Sequence, residues 1–128
     1  MKHSYAILAA AMAAAAFSAS CAKPAMPTET EWNAIEQLET QAKAIARVDG
    51  CASSGDCRSA PVGSRACGGP RYYIPWCAKT TDSAALYRKL AEVARAEQEY
   101  NRKHNTVSTC EFRTAPLVES VGGSCVAR

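Results

Sequence analysis

The chain has 128 residues, a formal net charge of +3 and 48% hydrophobic residues, but 17 of its 61 apolar positions fall in residues 1–22. In the other 106 residues Leu, Ile, Val and Phe number only 15, a level at which a strongly charged chain stays disordered. Size and modest charge exclude a multidomain enzyme, a transmembrane bundle, a doubly wound nucleotide-binding sheet and a strongly basic nucleic-acid binder. What remains is one small domain with a lean core.

Met1-Lys2-His3 is a short basic start, Tyr5 to Phe17 is an unbroken apolar run, and Ser18-Ala19-Ser20-Cys21-Ala22 are small residues. This is the layout of a bacterial secretory signal peptide over residues 1–22. The run is too short and too rich in Ala for a membrane span, and no basic stop follows it. Ser18-Ala19-Ser20-Cys21 resembles the lipobox of bacterial lipoproteins, in which the Cys becomes the lipidated first residue, although Ser18 stands where Leu is usual. Cleavage near Ala22 competes with that reading. Both routes leave six cysteines: Cys51, Cys57, Cys67, Cys77, Cys110 and Cys125. Residues 23–27 read as a tether and 28–128 as a single domain, so the reading leans toward membrane attachment through a lipidated Cys21. Ala22 after the Cys resembles lipoproteins sent to the outer membrane, and the expected location is the periplasm or the outer membrane.

In chain order, Thr28 is a helix cap that Glu31 can close from three residues on. Trp32, Ile35, Leu38, Ala42, Ile45 and Ala46 recur at helical spacing until Asp49-Gly50 stops the helix. Residues 51–79 hold four cysteines, four glycines and three prolines, which predicts short strands and turns. Arg58–Val62 is a candidate strand, restricted to an edge by Pro61. Gly68-Gly69-Pro70 reverses the chain into Arg71-Tyr72-Tyr73-Ile74-Pro75-Trp76. A second helix runs from about Ser83 to Asn105, capped by Thr81 or Asp82, with Leu86, Leu90, Val93 and Tyr100 inward and a mixed-charge face outward. Val107–Arg113 reads as a strand around Cys110 and Phe112. Leu117–Val121 is a further short element before the turn at Gly122-Gly123. The expected fold is α+β, two helices packed on a small, short-stranded antiparallel sheet, stapled by disulfides.

Successive cysteines lie 6, 10, 10, 33 and 15 residues apart, which is neither zinc-finger nor Cys-x-x-Cys redox spacing. Three disulfides are therefore expected, with at least one tying residues 51–77 to Cys110 or Cys125, and neither metal nor cofactor. His104, the only histidine beyond His3, sits among Arg102, Lys103 and Asn105, where a cation suits a helix C-terminus. The carboxylate pairs Glu36 with Glu39, and Glu92 with Glu97 or Glu99, lie on faces that read as solvated. No nucleophile elbow or phosphate loop is present, so the chain does not read as an enzyme.

The most informative stretch is Cys51–Cys77. Arg58, Arg65 and Arg71 stand there against Asp56, and Tyr72, Tyr73 and Trp76 crowd between Pro70 and Cys77. Tyr, Trp and Arg are enriched at binding hot spots. Alternation buries Tyr72, Ile74 and Trp76 together, or else Tyr73 alone, so at least one aromatic should stay exposed. The run Cys51-Ala-Ser-Ser-Gly-Asp-Cys57-Arg58, continued by Pro61-Val62-Gly63-Ser-Arg65-Ala-Cys67-Gly68-Gly69-Pro70-Arg-Tyr-Tyr73, resembles short exported proteobacterial proteins that have no assigned activity. The resemblance implies export and disulfides and no particular chemistry. The leading expectation is an exported binding module of the bacterial envelope, of the inhibitor or immunity type. It would recognise a protein partner or an anionic envelope component through Arg58, Arg65, Arg71, Tyr72, Tyr73 and Trp76. The alternative is a structural or stress-related envelope lipoprotein without a specific ligand, and an enzyme of unknown type stands third. Residues 28–49 sum to −3 and residues 51–79 to +3, a dipolar pattern that argues against nucleic acid as partner.

Overall fold

The computed structural model describes residues 26–128, so the expected signal peptide, residues 1–22, and Cys21 lie outside the described residues. The first amphipathic stretch folds as α1, Pro27–Ile45. Its cap is not Thr28 closed by Glu31. Met26 is the N-cap, its N–H donates to the Glu29 carboxylate at 3.2 Å, and Pro27 takes the first helical position, where an N–H would go unused. Glu31 is thereby free to accept from Lys103 and to meet His104 Nε2 at 2.7 Å. The helix also ends at Ile45, before Asp49-Gly50. Tertiary partners claim the backbone first: Cys77 N–H donates to Arg47 O (2.7 Å), Cys125 N–H to Val48 O (2.9 Å), and Cys51 N–H to Gly123 O (3.0 Å).

Helix α2, Ser83–His104, is capped by the Asp82 carboxylate, which accepts from Ala85 N–H at 2.9 Å, and it closes on Asn105 in the left-handed region. It runs antiparallel to α1. Trp32 meets Tyr100 edge-on at 5.2 Å near one end, and Arg47 N–H reaches Thr81 Oγ1 near the other. Leu86, Leu90 and Val93 are buried as the periodicity predicts, together with Ile35 and Ala42 of α1.

Strands β1, Cys57–Val62, and β2, Tyr72–Cys77, form an antiparallel hairpin in register from Cys57 opposite Cys77 to Val62 opposite Tyr72. Residues directly opposite share a face, so Ala60, Val62, Tyr72, Ile74 and Trp76 pack on the helices. Cys57, Cys77 and Tyr73 face the other way. Behind that face lies a second hairpin, β3 (Val118–Val121) with β4 (Ser124–Ala127). Its turn uses Gly122 and Gly123, both at positive φ, as a two-residue connection favours. The architecture is the expected α+β arrangement, with the strands divided between two hairpins.

The disulfides are Cys51–Cys77, Cys57–Cys125 and Cys67–Cys110. Two of them tie the 51–77 segment to the C-terminal part of the chain, as expected. Cys57–Cys125 spans 68 residues, for which loop-closure entropy corresponds to about 4 kcal/mol. Among the described residues no helix is long and apolar enough to cross a membrane.

One turn controls how closely α2 approaches the first hairpin. Gly63 follows β1 at φ +76°, and a Cβ there would lie 2.8 Å from Arg71 Nε and collide with the Glu97 carboxylate. Gly63→Ala is expected to cost about 2 kcal/mol or more, read as a lower urea midpoint with an unchanged slope. Gly55→Ala, where φ is ordinary and the nearest atom is 3.4 Å away, should stay within about 0.5 kcal/mol.

Candidate functional site

The structure does not gather the six residues singled out from the sequence into one surface. Trp76 is 5% exposed, in the core, with its ring edge-on to Tyr87 at 6.1 Å. Arg58 is exposed but folds back, donating to Gly55 O (2.6 Å) and Cys57 O (2.8 Å). Tyr72 and Tyr73 are half-buried, so, contrary to the expectation that at least one would be exposed, none of the three aromatics is. The register explains this, because Tyr72 and Trp76 share the helix-facing side and Tyr73 is covered from behind by the chain after α2.

Arg71 is the centre of an ion network. Its Nε donates to Glu97 Oε1 at 2.7 Å, and its Nη2 lies 2.6 Å from that oxygen and also reaches Glu39 Oε2. Tyr72 OH and Lys43 Nζ take Glu39 Oε1, and Ser64 N–H takes Glu97 Oε2. All four carboxylate oxygens are thus engaged. This corrects the reading of solvated carboxylate pairs, since the Glu97 side chain is 1% exposed and the Glu39 side chain 12%. Burial pushes the Glu39 carboxyl up from its ordinary value near 4.5, but hydrogen bonds from Lys43, Tyr72 and Arg71 outweigh it and hold it at about 2. Burial likewise pulls Arg71 down, and its two carboxylates more than reverse that. The Tyr72 phenol is pushed up, first by burial and then by its bond to Glu39. With every acceptor occupied, the cluster is a structural joint between α1, α2 and the first hairpin.

The remaining two residues, Arg65 and Tyr73, converge on residues 105–117, the connection between α2 and β3. Val107–Arg113 was expected to be a strand. It has no sheet partner, and the connection carries no regular secondary structure. Side chains hold it instead. Arg65 donates to Thr109 O (3.1 Å) and to Glu111 O, and Tyr73 OH donates to Arg113 O (3.2 Å). Ser108 Oγ accepts from Cys67 N–H at 3.0 Å, and Cys110 is bonded to Cys67. On this pinned backbone Val107 and Phe112 are each 91% exposed and Leu117 is 72% exposed. Irregular connections of this length are usually either functional or linker segments, and the side-chain grip on this one sets it apart from a linker. The sequence signal was Phe112 between Glu111 and Arg113 beside a cysteine, an apolar residue in a charged setting.

Two other places gather apolar or sulfur groups. A groove of about 280 Å³ between the helices is lined by Ile35, Leu38, Ala96 and Tyr100, with Glu31 and Lys103 at its rim. Glu31 is held below the usual carboxylate range, chiefly by Lys103 and then by His104, so its charge is already matched. The sulfurs of Cys51, Cys57 and Cys125 lie within 4.8 Å of one another, but all three are in disulfides and offer no thiolate to a metal. Comparison of the chain with protein-family models, curated proteins and solved structures finds no match.

The Glu39 carboxyl titrates near 2 in the fold against an ordinary 4.5, so between those values the unfolded chain binds more protons than the folded one. Its ionised form therefore stabilises fully above about pH 4.5, and that contribution, about 3 kcal/mol, is lost as pH falls toward 2. Urea midpoints measured from pH 6 to 2 should fall accordingly, and Glu39→Gln should flatten that part of the profile.

Proposed function

We propose that the protein is an exported, disulfide-stapled binding module of the bacterial envelope that docks a protein partner through residues 106–117. The observation that supports this best is Phe112, 91% exposed on a backbone held by Cys67–Cys110, Arg65 and Tyr73. An aromatic side chain supplies a large contact area to a partner, and a loop already fixed in shape loses little entropy when one docks. Arg65 and Arg71 turn inward to carbonyls and carboxylates, and Glu111 offsets Arg113 on the loop, which favours a protein over an anionic envelope component.

Export agrees with three disulfides, which persist in oxidising compartments, and with the N-terminal segment. The mature protein would begin at a lipidated Cys21 on the outer membrane, or near Ala22 free in the periplasm. A benzophenone amino acid placed at position 112 in the producing cell should give one discrete cross-linked partner. The same probe at Arg88, exposed on α2, should give none. Equal labelling at both positions, or none at either, would leave the structural role without a ligand.

A further inference from the structure

The way the 105–117 connection is held says more about what it is shaped to meet. The body of the protein grips the carbonyls of Thr109, Glu111 and Arg113, three alternate residues. In an extended chain successive carbonyls point to opposite sides, so a grip on every second one is the mark of an extended segment. In that form the carbonyls of Cys110 and Phe112 would point away from the body. Beyond Asn105, residues 106–117 all keep negative φ, which agrees with that form. We read residues 109–113 as an extended stretch outside any sheet, one edge taken by Arg65 and Tyr73 and the other making no backbone hydrogen bond among the described residues.

An extended chain with one open edge and a large exposed side chain is the form in which serine endopeptidases take their substrates. The edge adds as a strand, and the side chain before the scissile bond fills the primary pocket. We propose that residues 109–114 act as a substrate-like inhibitor of serine endopeptidases with an apolar primary pocket, with Phe112 as the pocket residue and Phe112–Arg113 as the presented bond. This rests on the reading of the loop as a partner-binding element and names the partner's class.

The choice of Phe112 over its neighbour follows from the same contacts. Arg113 is the other side chain that a protease pocket could take. Its carbonyl, however, is bound by Tyr73, and its guanidinium lies 3.5 Å from the Glu111 carboxylate. Phe112 lies between two residues whose carbonyls are anchored, so the bond that would be attacked is held immediately before and immediately after. Glu111, Phe112, Arg113, Thr114 and Ala115 are all exposed, which leaves the approach clear on both sides of that bond.

The staples explain why such a bond would resist turnover. The enzyme's serine Oγ would attack the Phe112 carbonyl carbon, the Phe112 C–Arg113 N bond would break, and the Arg113 nitrogen would take the proton from the enzyme's base. The new amine cannot leave. Cys110 holds the chain before the break to Cys67, and Cys125 holds the chain after it to Cys57. Arg128 N–H also binds Leu117 O at 2.9 Å, and Tyr73 retains Arg113. An amine kept at the ester has a high effective concentration and re-forms the peptide, expelling the serine, before water can enter. Arg65 and Tyr73 are therefore positioning residues.

The test uses the mature, oxidised protein against chymotrypsin, subtilisin and trypsin with small chromogenic substrates. Tight inhibition of at least one of the first two is expected, with the Phe112–Arg113 bond largely intact after prolonged incubation. Phe112→Gly should weaken it on the order of 100-fold, and Phe112→Lys should transfer inhibition to trypsin. Arg65→Ala should still inhibit tightly at first but then be cleaved after Phe112, a change from inhibitor to substrate in which circular dichroism shows the fold retained; an unfolded variant would be cleaved without any initial inhibition. Absence of inhibition of both apolar-pocket enzymes by the wild-type protein would overturn the proposal, as would rapid cleavage of the wild type or indifference to Phe112→Gly. A discrete adduct from position 112 alongside such a failure would retain the binding loop and reject the protease; absence of both would reject the two together.

Discussion

The buried ion network around Arg71 is the interaction on which the rest of the structure depends. Glu39 comes from α1, Glu97 from α2, and Arg71 and Ser64 from the ends of the turn that joins β1 to β2. The apolar cluster of Ile35, Val62, Trp76, Leu86 and Leu90 also joins the three elements, but apolar contacts are non-directional and the supply of large aliphatic residues is small. A buried ion pair is a weak source of net stability, because desolvation consumes most of its Coulomb energy. Its strength here is geometric. Two carboxylates with every oxygen engaged admit one placement of the turn between the helices, and Gly63 is what lets that turn come close enough.

The first hairpin then carries the consequences to its other face. Once Tyr72, Ile74 and Trp76 are committed to the helices, Cys57, Tyr73 and Cys77 must face away from them. Cys57 and Cys77 meet Cys125 and Cys51, and a second small core of sulfur forms there beside Val48 and Val118. Tyr73 reaches the chain leaving α2, and Arg65, from the same turn as Arg71, grips it two and four residues earlier. The loop that exposes Phe112 is thus held by residues adjacent to those that hold the helices together. Rigidity in the core becomes rigidity in the loop through only a few residues of chain.

Much of the fold was legible in the sequence, and its failures share a cause. The periodicity located both helices, and Leu86, Leu90 and Val93 as inner positions, because a helix face is decided by residues three and four apart. Alternation put Tyr72, Ile74 and Trp76 on one side for the same local reason. Glu97 continues the α2 stripe one turn beyond Val93, yet its charge reads as solvated until Arg71 is known to lie beside it. Val107–Arg113 has the composition of a strand and the extended form the carbonyl grips imply, but whether a partner strand exists is not encoded in the segment itself. The aromatics between Pro70 and Cys77 look like a surface by residue type. They are half-buried or buried because the chain elsewhere was short of large apolar groups.

By itself the sequence determined the helices, the reversals at Gly68-Gly69 and Gly122-Gly123, and a cysteine-stapled domain too lean to stand on its apolar core. These follow from backbone preferences, side-chain periodicity and composition, all of which act over a few residues or over the chain as a whole. The tertiary structure alone decided which cysteines pair, which carboxylates are buried, where α1 stops and which residues stay in water. Each of these depends on a partner tens of residues away: Arg71 for Glu97, Cys125 for Cys57, Arg65 and Tyr73 for the loop that bears Phe112. A side chain's type states what it can bond to, and only the folded chain supplies the bond.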